Sequence, residues 1–296
     1  MQNKTYTRTA YAKINLYLDV LGKMENGYHE IESVMQSVSL SDEITLTVGE
    51  GDGIEITSNS PCVPLNEKNL VHRAAVKFLS YLKEISDTQI EPKKLSFHIE
   101  KNIPVEAGMA GGSTDCAATL YLLNEAFDYP IKDNELLSLG ASLGADVAFC
   151  LSGGTAVCRG IGEKIAPIEC AKEINLVCAI GDKGVSTPYA FGLIDEKFGT
   201  TPKPHGKINE VVDALENGNI SALSTSLFNR FEAVIEPIND TVSEIKAEML
   251  KNGALGALMS GSGPSVFGIF PDSTVAERAA ISLKMKSFRV FVCKTV

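Results

Sequence analysis

The stretch PVEAGMAGGSTDCAATLYLLN, residues 104–124, decides how this chain is read. Its first nine residues are small and rich in glycine. Ser113, Thr114 and Asp115 follow, side chains whose oxygens accept hydrogen bonds from the opening N–H groups of a helix, and the apolar run 117–127 predicts that helix. Residues 95–99 upstream alternate as a strand does, so the unit is strand, glycine loop, helix start. Such a loop can lay backbone N–H groups and the positive helix end against an anion, phosphate being the usual one, and a tight connection is the plain alternative. GxxxxGK[ST] occurs nowhere in the chain, so a phosphate held here is held by another design.

Outward from this unit, residues 11–20 alternate between apolar Ala12, Ile14, Leu16, Leu18 and Val20 and polar Lys13, Asn15 and Asp19, a period of two that predicts a strand. Lys13 and Asn15 then point the same way. Further strands are predicted at 31–40, 43–48 and 54–57, and a helix at 69–85 on its 3.6-residue apolar face. A helix over 134–143 ends at Gly144, and a strand follows at 154–158. The polar, glycine-bearing stretch 159–164 reads as a linker. Beyond it come a strand at 174–180, helices at 188–196, 208–216, 220–235 and 242–251, strands at 255–259 and 265–270, a helix at 275–285 and a last strand at 289–293. The expected organisation is α+β in two domains, 1–162 and 163–296.

With 27 basic and 37 acidic side chains among 296 residues, the net charge is −10. That balance argues against nucleic acid as a partner, since phosphate-driven affinity needs clustered Lys and Arg. The N-terminus carries no apolar signal core, and the least polar stretch, 253–270, is broken by serines and a proline, so a cytoplasmic protein without membrane attachment is expected. Seven cysteines without a CxxC pair, and four scattered histidines, read as reduced thiols and no structural metal site.

Three polar features carry candidate chemistry. Lys13 and Asn15 on their strand are either a solvated edge or a functional pair. Asp146, just beyond Gly144, is either the N-cap of a short helix or a carboxylate able to accept a hydroxyl proton, with an ammonium such as Lys13 to hold it ionised. Tyr28-His29 follows the turn Glu25-Asn26-Gly27 as an exposed aromatic pair, suited to hairpin packing or to a ligand.

AYAKINLYLDV with NGYHEIESVMQ, the glycine loop, LGADVAFCLSGGTAVCRGIGEKI and MSGSGPSVFGIF together resemble the GHMP kinase superfamily, in its order from residue 10 to about 270. The resemblance implies the two-domain GHMP kinase fold: an N-terminal ribosomal-protein-S5-like ATP-binding domain and a C-terminal ferredoxin-like α/β sandwich, with the active site in the cleft between them. It implies transfer of the γ-phosphoryl group of ATP to a small-molecule alcohol, the 2-hydroxyl of a cytidine diphosphate methylerythritol, in non-mevalonate isoprenoid precursor synthesis. Asp146 would be the base and Lys13 its ion-pair partner. Pro104, Val105, Glu106, Ala107, Gly108, Met109, Ala110, Gly111, Gly112, Ser113 and Thr114 would cradle ATP, with Asn69 near the adenine. Asn15, Tyr28 and His29 would bind substrate, and Phe191, with Tyr189 as the alternative, would stack on the cytosine. Mg²⁺ is expected to enter with ATP, with no protein metal cage, and the enzyme to be a monomer or weak homodimer. A GHMP kinase for another alcohol, such as homoserine or mevalonate, and a non-catalytic nucleotide-binding paralogue are the competing readings.

Overall fold

The computed structural model describes residues 3–85, 93–181 and 184–296. Contacts along the chain divide it into two compact units. Unit 1 comprises the described residues of 1–12, 41–105 and 110–152; unit 2 comprises those of 13–40, 106–109 and 153–296. Unit 2 takes in residues on both sides of position 162/163, because two long strands, β1 (Lys4–Lys23) and β2 (His29–Gly49), each enter both units.

In unit 1 the outer parts of β1 and β2 join β3 (Ile54–Ser58) and β4 (Lys94–Glu100) in the order β3–β4–β2–β1. β3 runs parallel to β4, and β2 pairs antiparallel with it from Glu43↔Glu100 to Gly49↔Lys94. Four helices complete the unit: α1 (Leu70–Ile85), α2 (Gly111–Ala126), α3 (Asp133–Ala141) and α4 (Ala145–Ser152). Ile44, Leu46, Leu95 and Phe97 from the sheet and Phe78, Leu120 and Val147 from the helices form one dry core. Each such side chain contributes about 1.5–3 kcal/mol on burial.

In unit 2 the inner parts of β1 and β2 carry a hairpin, β5 (Thr155–Gly160) and β6 (Lys164–Ile168), on the β2 side. A second sheet contains β7 (Asn175–Ile180), β9 (Gly256–Met259), β10 (Ser265–Phe270) and β11 (Arg289–Lys294), ordered β11–β7–β10–β9 and antiparallel throughout. Counted along the chain this is 4-1-3-2, the ferredoxin-like order that the resemblance implies. The two-residue β8 (Phe228–Asn229) lies parallel to β1. The helices are α5 (Thr187–Phe198), α6 (Ile208–Glu216), α7 (Ile220–Ser226), α8 (Glu232–Ile235), α9 (Asp240–Lys251) and α10 (Ser273–Met285). Arg230 Nε donates to Asp19, which is fully buried on β1, and the same carboxylate accepts the His205 N–H at 2.7 Å.

Several expectations are corrected. The strand expected at 11–20 is longer, and residues 31–40 and 43–48 form one strand, because Ser41 and Asp42 continue in extended conformation without a turn. Lys13 and Asn15 are no solvated edge: both faces of β1 are covered over residues 12–20, leaving Lys13 5% and Asn15 1% exposed. Residues 159–164 are no linker but the turn of the β5–β6 hairpin, closed by the pair Arg159↔Lys164. The single helix expected at 220–235 is three elements, since Phe228 and Asn229 pair with Tyr17 and Leu18. Asp146 is not an N-cap but the second residue of α4.

Candidate active site

Lys13 and Asn15 project from β1 in unit 2 as the two-residue period requires. Lys13 Nζ donates to Asn15 Oδ1 at 2.8 Å, and the same oxygen accepts the N–H of Gly261 at 3.1 Å. Asn15 Nδ2 donates to Ser33 Oγ at 2.9 Å, whose own proton goes to the Tyr17 carbonyl at 2.6 Å. Asn15 is therefore a buried hub that orients Lys13 and fastens the Gly-Ser loop 260–264.

The centre of the glycine loop, residues 106–109, belongs to unit 2 and is held within it. Ser265 Oγ donates to the Ala107 carbonyl at 2.5 Å, Ser260 Oγ to that of Gly108 at 3.1 Å, and the Lys13 N–H to that of Met109 at 3.1 Å. Glu106, Gly108 and Ala110 all adopt left-handed backbone, with φ of 57°, 76° and 55°. Left-handed residues at alternate positions belong to nests, which turn N–H groups into one anion-binding hollow.

Ala110 is the residue before α2, and the helix has no side-chain cap. This corrects the capping expectation: Ser113 and Thr114 lie inside the first turn, and Asp115 just beyond. Because Ala110 in left-handed conformation already turns the chain into the helix, the N–H groups of 111–113 have no capping side chain and suit an anion.

Asp115 instead joins a buried charge cluster in unit 1. Lys101 Nζ donates at 2.6 Å to both Asp42 Oδ2 and Asp115 Oδ2, while Asp42 Oδ1 accepts the N–H groups of Asn102 and Ile103. Burial, opposed by Lys101 and reinforced by Asp42, pushes the Asp115 carboxyl up to about 8. One cation against two buried carboxylates leaves one charge uncompensated, so a proton is retained. Gly111 lies against this cluster, where an added Cβ would meet Lys101 Nζ and Ile103 Cγ2 at 3.0 Å.

Other candidates have local partners. Asn69 caps α1, accepting the Val71 N–H at 2.9 Å and donating to the Pro64 carbonyl at 2.7 Å. Asp146, half-buried in the first turn of α4, stands where a carboxylate meets the positive helix end. The Tyr28-His29 pair is not uniformly exposed: Tyr28 is 60% exposed and His29 8%. The His29 ring stacks on Phe191, with centroids 4.4 Å apart and planes at 13°, and its Nε2 lies 2.8 Å from Asp195 Oδ1. One face of the half-buried Phe191 is thus covered by His29, while Tyr189 is 56% exposed.

A cavity of about 480 Å³ within unit 2 is lined by Glu106 and Gly108 of the glycine loop, by residues 184–188 entering α5, and by Ser262 and Gly263. Thr187 Oγ1 and Ser262 Oγ are 2.9 Å apart at its wall. In unit 1, a cavity of about 530 Å³ along α1, lined by His72, Arg73, Lys77 and Leu143 among others, receives none of the residues singled out from sequence. Sequence reasoning missed Ser33, Asp195 and Ser262. Asp195 alone had a readable signal, being one helical turn after Phe191 and so on the same face.

Two families match the chain, GHMP kinases N terminal domain over residues 69–154 and GHMP kinases C terminal over 211–284. It is 41% identical to the 4-diphosphocytidyl-2-C-methyl-D-erythritol kinase of Clostridium novyi (strain NT), covering 97% of this chain and 99% of that one. It is 43% identical to the protein of the same name from Caldicellulosiruptor bescii, over 93% of each. Among solved structures, a 4-(cytidine 5'-diphospho)-2C-methyl-D-erythritol kinase superposes with a TM-score of 0.81 at 28% identity, over 98% of this chain and 99% of that one. The L. major mevalonate kinase, at 17% identity and a TM-score of 0.79 over 99% and 96% of the two chains, shares the fold.

Proposed function

The chain belongs to the GHMP kinase family, small-molecule kinases with ATP as phosphoryl donor, and from that premise we propose that its acceptor is the 2-hydroxyl of 4-diphosphocytidyl-2-C-methyl-D-erythritol. The products are the 2-phosphate and ADP, in the non-mevalonate route to isoprenoid precursors. The observation that carries this reading is near-full-length identity above 40% to kinases named for that substrate. The two family segments fall one on each side of 162/163, which supports the domain division 1–162 and 163–296.

In the proposed reaction Asp146 accepts the proton of the 2-hydroxyl as its oxygen bonds to the γ-phosphorus and the bond to ADP breaks. Lys13 supplies positive charge that favours the ionised base and offsets charge on the transferring group. The loop 104–114 holds the phosphates through N–H groups at the start of α2, and Asn69 lies by the adenine. Asn15, Tyr28, His29 and Phe191 serve the substrate, Asn15 by orienting Lys13. Phosphoryl transfer has a loose transition state, so positioning and charge neutralisation dominate and no covalent enzyme intermediate is needed.

No group of three or more His, Cys, Asp or Glu side chains suited to a metal occurs among the described residues. Mg²⁺ fits as the companion of ATP, which needs few protein oxygens; Ser113 would hold it, and it would neutralise phosphate charge. We place the enzyme in the cytoplasm as a monomer or weak homodimer; no described helix is long and apolar enough to cross a membrane.

An ADP-release assay with three acceptors tests the proposal. Turnover with the cytidylated methylerythritol alone supports it. Turnover with homoserine or mevalonate assigns another alcohol, and ATP binding without turnover on any acceptor makes the chain a non-catalytic paralogue.

A further inference from the structure

The His29 ring is fixed on two sides within unit 2. Its Nε2 lies 2.8 Å from Asp195 Oδ1, its face lies on Phe191, and Phe191 is braced edge-on by Phe231 with centroids 5.0 Å apart and planes at 78°. Asp195 is itself fastened, its second oxygen accepting from Lys23 Nζ at 2.7 Å. Its neighbour Ile194 is fully buried, which anchors this turn of α5. Burial raises the Asp195 carboxyl, but hydrogen bonds from Lys23 and His29 outweigh it and hold the group below its ordinary value. An ionised carboxylate can only accept, so the proton of this contact sits on His29 Nε2. In the neutral ring the other nitrogen, Nδ1, then carries a lone pair. No hydrogen bond to Nδ1 occurs among the described residues.

We propose that Asp195 is a specificity-determining positioning residue: by accepting the hydrogen bond of His29 Nε2–H it presents Nδ1 as an acceptor, which selects a pyrimidine bearing an exocyclic amine over its oxo counterpart. Cytosine offers a donor at that edge and uracil a carbonyl oxygen, which would face the Nδ1 lone pair. The inference rests on the reading above that His29 meets the base, and it adds how the ring discriminates. A buried polar group left unpaired by the wrong partner discriminates strongly, so the cytidine substrate is expected to exceed its uridine analogue by roughly 100-fold or more in kcat/KM.

The tests are nitrogen-15 NMR of the histidine ring and steady-state kinetics on both substrates. In the wild type, His29 should show the Nε2–H tautomer. Asp195→Asn keeps size and packing, but its amide can either accept or donate and so permits both tautomers. Its cytidine-to-uridine ratio should fall about 10-fold or more, through KM for the cytidine substrate, with kcat within about threefold of wild type. Asp195→Ala should act in the same direction and lose the Nε2–H preference in the NMR spectrum. A wild-type His29 protonated on Nδ1, or an Asp195→Asn ratio within twofold of wild type, overturns the proposal. His29→Ala separates the two levels. If it leaves the ratio and KM unchanged, base reading by His29 fails; if it collapses the ratio while Asp195→Asn does not, only the role of Asp195 fails.

Discussion

Substituting Gly108 by alanine tests how the glycine loop is built. Gly108 has φ of +76°, where an L side chain is strained by about 1–2 kcal/mol. Its Cβ would stand 2.5 Å from the Ser260 carbonyl oxygen and 3.1 Å from that of Gly263, both main chain. Relief requires the Gly-Ser loop to retreat by several tenths of an ångström. That loop is clamped by Asn229, which donates to the carbonyls of Met259 at 2.7 Å and Gly261 at 2.8 Å, and by Asn15 on the Gly261 N–H. Overpacking of this kind costs about 1–3 kcal/mol, which with the backbone strain totals about 2–5 kcal/mol. At about 2–4 °C per kcal/mol for a chain of a few hundred residues, the apparent Tm should drop by about 4–20 °C.

Displacing the loop should also lower kcat/KM for ATP, by up to about 100-fold, the effect of a full ångström of misplacement. Gly112→Ala is the internal comparison. Its Cβ would meet nothing nearer than Leu70 Cδ1 at 3.7 Å, in helical backbone. Its Tm should match or exceed wild type, since alanine is favoured over glycine in a helix by up to about 1 kcal/mol. Scanning calorimetry and ADP release on both variants give the answer. A Gly108→Ala protein that melts within 2 °C of wild type with unchanged kcat/KM would refute the reasoning.

Asp146→Asn should cut kcat by about 10²- to 10⁴-fold with little change in KM, measured by single-turnover ADP formation; a loss confined to KM would remove Asp146 as the base. Asn15→Ala removes the buried hydrogen bonds that Asn15 makes with Lys13 Nζ, the Gly261 N–H and Ser33 Oγ, so urea unfolding should show a loss of about 1–3 kcal/mol together with a fall in kcat. Asp115 binds its proton more tightly in the fold than in the unfolded chain, so its contribution favours folding at low pH and is lost as pH rises from near 4 through about 8. Asp115→Asn should flatten that part of the stability profile, giving a smaller Tm difference between pH 6 and pH 9 than wild type; an unaltered difference would place the titration elsewhere.

Much of the fold was legible because local patterns reported burial directly. The alternation around Ile14 and Leu16, the apolar face of α1 and the short runs that became β7, β9, β10 and β11 each mark an element by its own period, and the βαββαβ order follows. The Lys13–Asn15 pairing was legible for the same reason, two residues being one strand repeat. What failed was local chemistry overruled from a distance. Ser113 to Asp115 have the composition of a cap, yet Ala110 makes the turn and Asp115 goes to Lys101. Residues 220–235 have helical character, yet Phe228 and Asn229 pair with β1.

Residue type and spacing marked a glycine loop able to hold an anion and a Lys-x-Asn strand whose two side chains point the same way, and the resemblance carried by the longer motifs named the family of chemistry. They could not tell that Asn15 works through Lys13 and Gly261, that Phe191 lies against His29, or that Asp195 holds that ring. Those contacts join residues up to 246 positions apart. Hydrogen-bond geometry is satisfied in space, and only the packed sheets and helices determine which distant polar atoms come within hydrogen-bond reach of one another.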